Sequence, residues 1–174
     1  MKAYIRSVGA FVPAKRVSND ELAKTVDTSD EWIYSHTGIK NRHIASDREA
    51  ASDLALQASE IAIEASGIPA KDIDLILVAT ATPDYVGFPS TAAIIQHQLG
   101  AKDAAAMDIT AASTGFIYAL ETAKAFLESG SATNALVVGS EVLSRIVDWK
   151  DRDSCVLFGD GAGAALLGRV PAGY

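Results

Sequence analysis

Residues Ile73 to Thr80 form an apolar run of strand length. A strand that is apolar on both faces must be covered on both faces, which is the pattern of a parallel strand under crossover helices. The rest of the chain supplies the covers. Residues 49–66 have a helical period, with Leu54, Ala58, Ile61 and Ala65 on one face, Gly67 placed to end the helix and Pro69 to prevent its resumption. Ser90 can cap a helix running to about Leu99, and a third follows from Phe116 to Ser129 with Ile117, Leu120, Lys124 and Leu127 as its stripe, closed by Gly130. Residues 3–10, Ala104 to Ile109, Ala135 to Ser140 and Ala164 to Leu167 read as further strands. Alternating strands and helices define an α/β domain over residues 1–174, with helices on both faces of one mixed sheet. No clear helix separates the last two strands, so they are expected to pair antiparallel. Between Val17 and Thr37 the chain is polar, with two short helical pieces.

Bulk properties narrow the function. At 174 residues, 49% hydrophobic and 21% charged, the chain can bury a core and is not a disordered sequence. A formal charge of −7 argues against nucleic acid as a partner. No apolar stretch is long enough to span a bilayer, and the N-terminal residues lack a signal-peptide core. A cytoplasmic, membrane-free protein is the expectation. The single cysteine, Cys155, excludes an intrachain disulfide, and no His, Asp or Glu cluster has metal-ligand spacing.

The segment Asp108-Ile-Thr-Ala-Ala-Ser-Thr-Gly115 is a small-residue turn between a strand and a helix, with one hydroxyl, Ser113, at its apex. A strand that turns sharply into a helix presents the apex side chain at the positive end of the helix dipole, and catalytic nucleophiles are often held so. A plain N-cap role for Ser113 fits the same spacing.

Several segments together resemble the β-ketoacyl-acyl carrier protein synthase III group of the thiolase superfamily. They are residues 26–33 (Val-Asp-Thr-Ser-Asp-Glu-Trp-Ile), 37–45, Phe88-Pro-Ser90, 111–120, 137–143 and 158–164. The resemblance implies two βαβαβαββ halves, of which this chain covers the first, with a five-stranded mixed sheet. A histidine and an asparagine of the second half complete the family's catalytic site, and His36, His43 and His97 match neither. By that comparison the chain is a fragment, a shortened chain or one piece of a split enzyme, to be completed by a C-terminal half. The implied activity joins an acyl-CoA, as substrate and not cofactor, to malonyl-acyl carrier protein in the initiation of fatty-acid synthesis. Family members that condense carry cysteine where Ser113 stands. A hydroxyl stays neutral near pH 7 and needs a base, and the histidine and asparagine of the second half are missing, so this chain is expected to be inactive. Three readings stay open: a serine put in the cysteine's place to trap ligand or stop turnover, a natural serine that transfers acyl groups through an oxygen ester, and a non-catalytic CoA-binding or interaction subunit.

The resemblance assigns further residues. Trp32 matches a tryptophan that stacks on the adenine of CoA, Arg152 a residue on the adenine's other face, Thr28 a hydrogen-bonding neighbour, and His36 a position usually held by arginine near the phosphates. Phe88 matches a residue that reaches into the neighbour's acyl pocket across a dimer, and Leu143 a residue lining that pocket; for both, ordinary core is the alternative. The strand Ala104 to Ile109 matches the sheet edge that pairs with its twin in a homodimer. From the residues themselves, the glycines at 159, 161 and 163 precede a strand and read as close backbone packing, and Cys155 as a buried small residue near the start of the last strand.

Overall fold

The computed structural model describes residues 2–170. In chain order the elements are β1 (Lys2–Phe11), β2 (Lys15–Ser18), α1 (Asn19–Leu22), α2 (Asp30–Thr37), β3 (Asn41–Ile44), α3 (Ala51–Ser66), β4 (Leu75–Ala79), α4 (Thr91–Leu99), β5 (Ala105–Ile109), α5 (Gly115–Ser129), β6 (Asn134–Val142), α6 (Arg152–Cys155) and β7 (Asp160–Val170). One five-stranded sheet has the order β1-β7-β6-β4-β5. Strand β4 runs parallel to β5 and β6, while β7 runs antiparallel to both β6 and β1. With the β2–β3 hairpin set aside as an insertion, the order is the expected βαβαβαββ, and the last two strands pair antiparallel as expected.

Alternation along β4 divides the core. Ile76 and Val78 face α3 and α4, packing with Ala55, Ala58, Ala62, Ala92 and Ile95. Leu75, Leu77 and Ala79 face α5, packing with Ala119, Ala123 and Leu127. All five β4 residues are buried, which is why that run has no polar alternation.

The helix faces differ from the sequence expectation. In α3, Ile61 and Ala65 are exposed and the buried face is Ala51, Leu54, Ala55, Ala58 and Ala62. In α5, Ile117 and Lys124 are exposed and the buried stripe is Gly115, Ala119, Ala123 and Leu127. Small residues win these faces because the helices sit close to the sheet. A side chain at Gly9 of β1 would come within 2.2 Å of the Ala58 carbonyl oxygen and 2.7 Å of the Ala62 amide nitrogen. Ser7, next on that face, donates to the Ala62 carbonyl at 2.6 Å. Helix ends follow their caps: Ser90 accepts from the Ala93 amide, and Gly67, Gly100 and Gly130 close α3, α4 and α5 in the left-handed conformation.

The hairpin β2–β3 was not legible in the sequence, because Lys-Arg-Val-Ser and Asn-Arg-His-Ile lack an apolar alternation. Buried Arg42 holds it, donating to the Val17 carbonyl and to Asn19 Oδ1 at 2.7 Å. Asn19 in turn donates to Asp30 Oδ1 at 2.7 Å, at the start of α2. A buried guanidinium thereby fixes the helix that carries Trp32. Gly159 belongs to the same junction, since a side chain there would meet Arg42 Cβ at 2.9 Å. Cys155 is buried as expected, at the end of α6, the element that leads into β7. Among the described residues no helix is long and apolar enough to cross a membrane.

Candidate active site

Strands β4, β5 and β6 end on the same side of the sheet, and in α/β folds the crevice beyond the C-terminal strand ends is where ligands bind. The turn after β5 places Ser113 there. Ala112 adopts φ +46°, a left-handed backbone that costs an alanine roughly 1–2 kcal/mol. This kink lifts Ser113, within the tight turn Ala112–Thr114, directly ahead of α5. The N-cap reading does not hold: Thr114 occupies that position, no side chain caps the helix, and Thr114 Oγ1 donates back to the Ala111 carbonyl. Ser113 is exposed, and among the described residues its hydroxyl makes no hydrogen bond. Its position at the uncapped start of a 15-residue helix favours negative charge.

Ser113 opens onto a cavity of about 580 Å³. Ala79 and Ala81 from the end of β4, Gly139 to Glu141 and Leu143 from the end of β6, Phe116 from α5, and Phe158 and Gly161 to Gly163 from β7 and its approach form the walls. The lining is mostly apolar and built from small residues. Leu143 therefore shares a cavity with Ser113. Its turn is held by buried Asp160, whose carboxylate accepts from the Ser144 amide and hydroxyl and from the Ala45 amide at 2.6–2.9 Å. Among the described lining residues the one carboxylate, Glu141, accepts from the Ala81 amide at 2.8 Å and from Thr82 Oγ1 at 2.5 Å. It pins the segment after β4, and Thr82 Oγ1 also accepts from the Val142 amide. Among the described residues no histidine lines the cavity. Phe116, Glu141 and Phe158 escaped sequence reasoning; the position of Phe116 on the first turn after Ser113 was the one available signal for it.

Trp32, His36 and Arg152 form a separate cluster. Arg152 Cζ lies 4.7 Å from the Trp32 ring centroid, and the His36 ring stacks on the indole at 4.4 Å. His36 is held there through Nδ1, 2.7 Å from the Trp32 carbonyl oxygen. Ser29 caps α2 by accepting from the Trp32 amide. Thr28 precedes it, with a buried Oγ1 that has no hydrogen-bond partner among the described residues. Arg152 also reaches the Asp27 carbonyl at 3.5 Å, beside a hollow lined by Thr25, Val26, Asp27 and Lys150. Trp32 is half-buried, as expected for an aromatic pinning a short helix.

Phe88 joins neither cluster. It is 89% exposed, beside Val86 at 102%, so the core reading of Phe88 is wrong. Strand β5 lies at the sheet edge. Among the described residues no group of three or more His, Cys, Asp or Glu side chains converges to hold a metal ion.

Comparison with known proteins identifies relatives of both sequence and fold. A family model described as 3-oxoacyl-[acyl-carrier-protein (ACP)] synthase III matches residues 107–173. The chain is 55% identical over 165 residues to a β-ketoacyl-[acyl-carrier-protein] synthase III of Sulfurovum sp. (strain NBC37-1), covering 95% of this chain and 48% of that protein. It is 58% identical over 166 residues to the enzyme of the same name from Neisseria meningitidis (strain FAM18), covering 95% and 52%. The crystal structure of 3-oxoacyl-[acyl-carrier-protein] synthase III from Aquifex aeolicus VF5 superposes with a TM-score of 0.94 at 48% identity, over 97% of this chain and 54% of that one. The chain spans about half the length of the curated relatives it matches.

Proposed function

The chain belongs to the β-ketoacyl-[acyl-carrier-protein] synthase III family, and on that premise we propose that it supplies the nucleophile turn and the acyl-CoA-binding elements of a cytoplasmic condensing enzyme. The reaction joins an acyl-CoA to malonyl-acyl carrier protein at the start of fatty-acid synthesis. The observation that carries this reading is the placement of Ser113, exposed ahead of α5 and open to a mostly apolar cavity. A thioester carbonyl brought there meets an apex side chain, and the uncapped helix start favours the negative charge of a tetrahedral intermediate. Leu143 lines the acyl site, while Trp32, Arg152, Thr28 and His36 hold the nucleotide end of CoA.

Serine alters the chemistry. A thiolate would attack unaided, whereas a hydroxyl needs a base, and among the described residues no histidine lines this cavity. A C-terminal half, corresponding to the remainder of the relatives' length, would supply a histidine and an asparagine. With serine in place, acylation is too slow to sustain turnover. A second copy of the chain pairs along the β5 edge, since an unpaired apolar edge invites association, and Phe88 reaches toward the neighbour's acyl site. The exposed hydroxyl without a base also favours a second reading, a subunit that binds acyl-CoA and transfers nothing.

Radiolabelled acetyl-CoA separates the two. The protein is expected to bind acetyl-CoA without taking label on Ser113. The Ser113→Cys variant, with the C-terminal half present, is expected to take label as a thioester. Binding without label in that variant favours the non-catalytic subunit, and no binding at all removes both readings.

A further inference from the structure

We infer that Phe116 and Gly139 together set how long an acyl chain the Ser113 cavity accepts, an inference that rests on the acyl-binding reading above. Both residues line the cavity, one from the first turn of α5 and the other from β6. The three nearest atoms that a side chain at Gly139 would meet all belong to Phe116: Cδ2 at 3.3 Å, Cγ at 3.9 Å and Cβ at 4.0 Å. The bare α-carbon of Gly139 is therefore what lets the Phe116 side chain lie against the strand instead of in the cavity.

The remaining wall sharpens the assignment. Ala79, Ala112 and Gly161 contribute no more than a methyl group each, so trimming them gains little space. Phe158 is bulky but 37% exposed. Phe116 packs against the buried cluster between the sheet and α5. It is thus a wall braced from behind, and its size is transmitted to whatever occupies the cavity. A smaller side chain at 116 lengthens the cavity. A methyl at 139 both occupies space and displaces the ring, which shortens it. Each methylene buried instead of exposed changes affinity about fourfold, so a change of one or two methylenes in usable length is readily measured.

The test is equilibrium dialysis of acetyl-, butyryl- and octanoyl-CoA against the protein and its Phe116→Leu and Gly139→Ala variants, with thermal melts to establish folding. The octanoyl-to-acetyl affinity ratio is expected to rise about tenfold in Phe116→Leu and to fall about tenfold in Gly139→Ala. Should Gly139→Ala not fold, Phe116→Trp takes its place and is expected to lower the ratio. A ratio unchanged in both directions overturns the wall assignment while leaving acyl-CoA binding intact. Failure of the unsubstituted protein to bind any of the three overturns the assignment together with the function proposed above.

Discussion

The guanidinium of Arg152 lies over the Trp32 indole, 4.7 Å from Cζ to ring centroid, although the two residues come from α6 and α2. In the nucleotide site proposed above, Arg152 adds its cationic face to the bound adenine. At an exposed site a cation over an aromatic face is worth about 0.5–1 kcal/mol. Arg152→Ala is therefore expected to weaken CoA binding about two- to fivefold by isothermal titration calorimetry. Arg152→Lys should recover only part of this, because an ammonium has no planar face to stack. Equal affinities in all three proteins would remove Arg152 from the nucleotide site.

Gly9 sets how closely α3 approaches β1. A methyl there would stand 2.2 Å from the Ala58 carbonyl oxygen, and backbone atoms, unlike a flexible side chain, cannot step aside. The helix must lift as a body, losing contacts of Ala55, Ala58 and Ala62 with the sheet. Overpacking of this kind costs about 1–3 kcal/mol and occasionally more. Gly9→Ala is expected at the upper end of that range in urea unfolding. A cost under about 0.5 kcal/mol would mean that α3 is not held by this contact.

The contrast between β4 and the hairpin explains what could be read in advance. Leu75 to Ala79 is buried on both faces, so its whole surface carries the signal of burial. The hairpin strands are four residues each and rest on one buried arginine whose partners are scattered from Val17 to Val156. Nothing local in Asn-Arg-His-Ile announces that. The helix stripes failed for a related reason. Hydropathy ranks Ile61 and Ile117 above the alanines and Gly115, but close approach to the sheet ranks them below. At the site, the Ser113 turn was visible as a run of small residues bracketed by a strand and a helix. The cavity was not, because its walls are glycines and alanines whose meaning depends on what faces them. Glu141 was invisible until Thr82 and the Ala81 amide were brought to it.

Cys155 gives the stability a dependence on alkaline pH. Burial, first, and the negative charge of Asp151, second, raise its thiol above the ordinary range, with Arg42 opposing them. In the unfolded chain the thiol ionises near about pH 8.5. The folded state keeps its proton to higher pH, so the unfolded chain binds fewer protons in that window and stability falls as pH rises. This contribution is complete below about pH 8.5 and is lost as pH climbs through the folded value. Urea unfolding between pH 8 and 10 is expected to show a shallower decline for Cys155→Ala than for the unsubstituted chain. Parallel slopes would place the thiol in contact with water.

Replacing Ser113 by cysteine tests the turn itself, without acyl-CoA. The only other thiol, Cys155, is buried and serves as an unreactive internal control. The position just ahead of α5 has an uncapped helix end and, among the described residues, no histidine in its cavity. A helix dipole at an exposed site stabilises a negative charge by about 0.3–1 kcal/mol, which lowers a thiol midpoint by less than about one pH unit. The pH profile of iodoacetamide alkylation for Ser113→Cys is therefore expected to have its midpoint modestly below the ordinary value of about 8.5. Larger falls, into the range of about 3.5–7.5, are expected where a cationic or histidine partner acts together with the helix. A further fall of the midpoint when the C-terminal half is added would therefore assign the activating charge to that half. A midpoint at or above about 8.5 in the chain alone would mean that the turn offers no electrostatic help, and that the pose of Ser113, not the helix behind it, is all this element contributes.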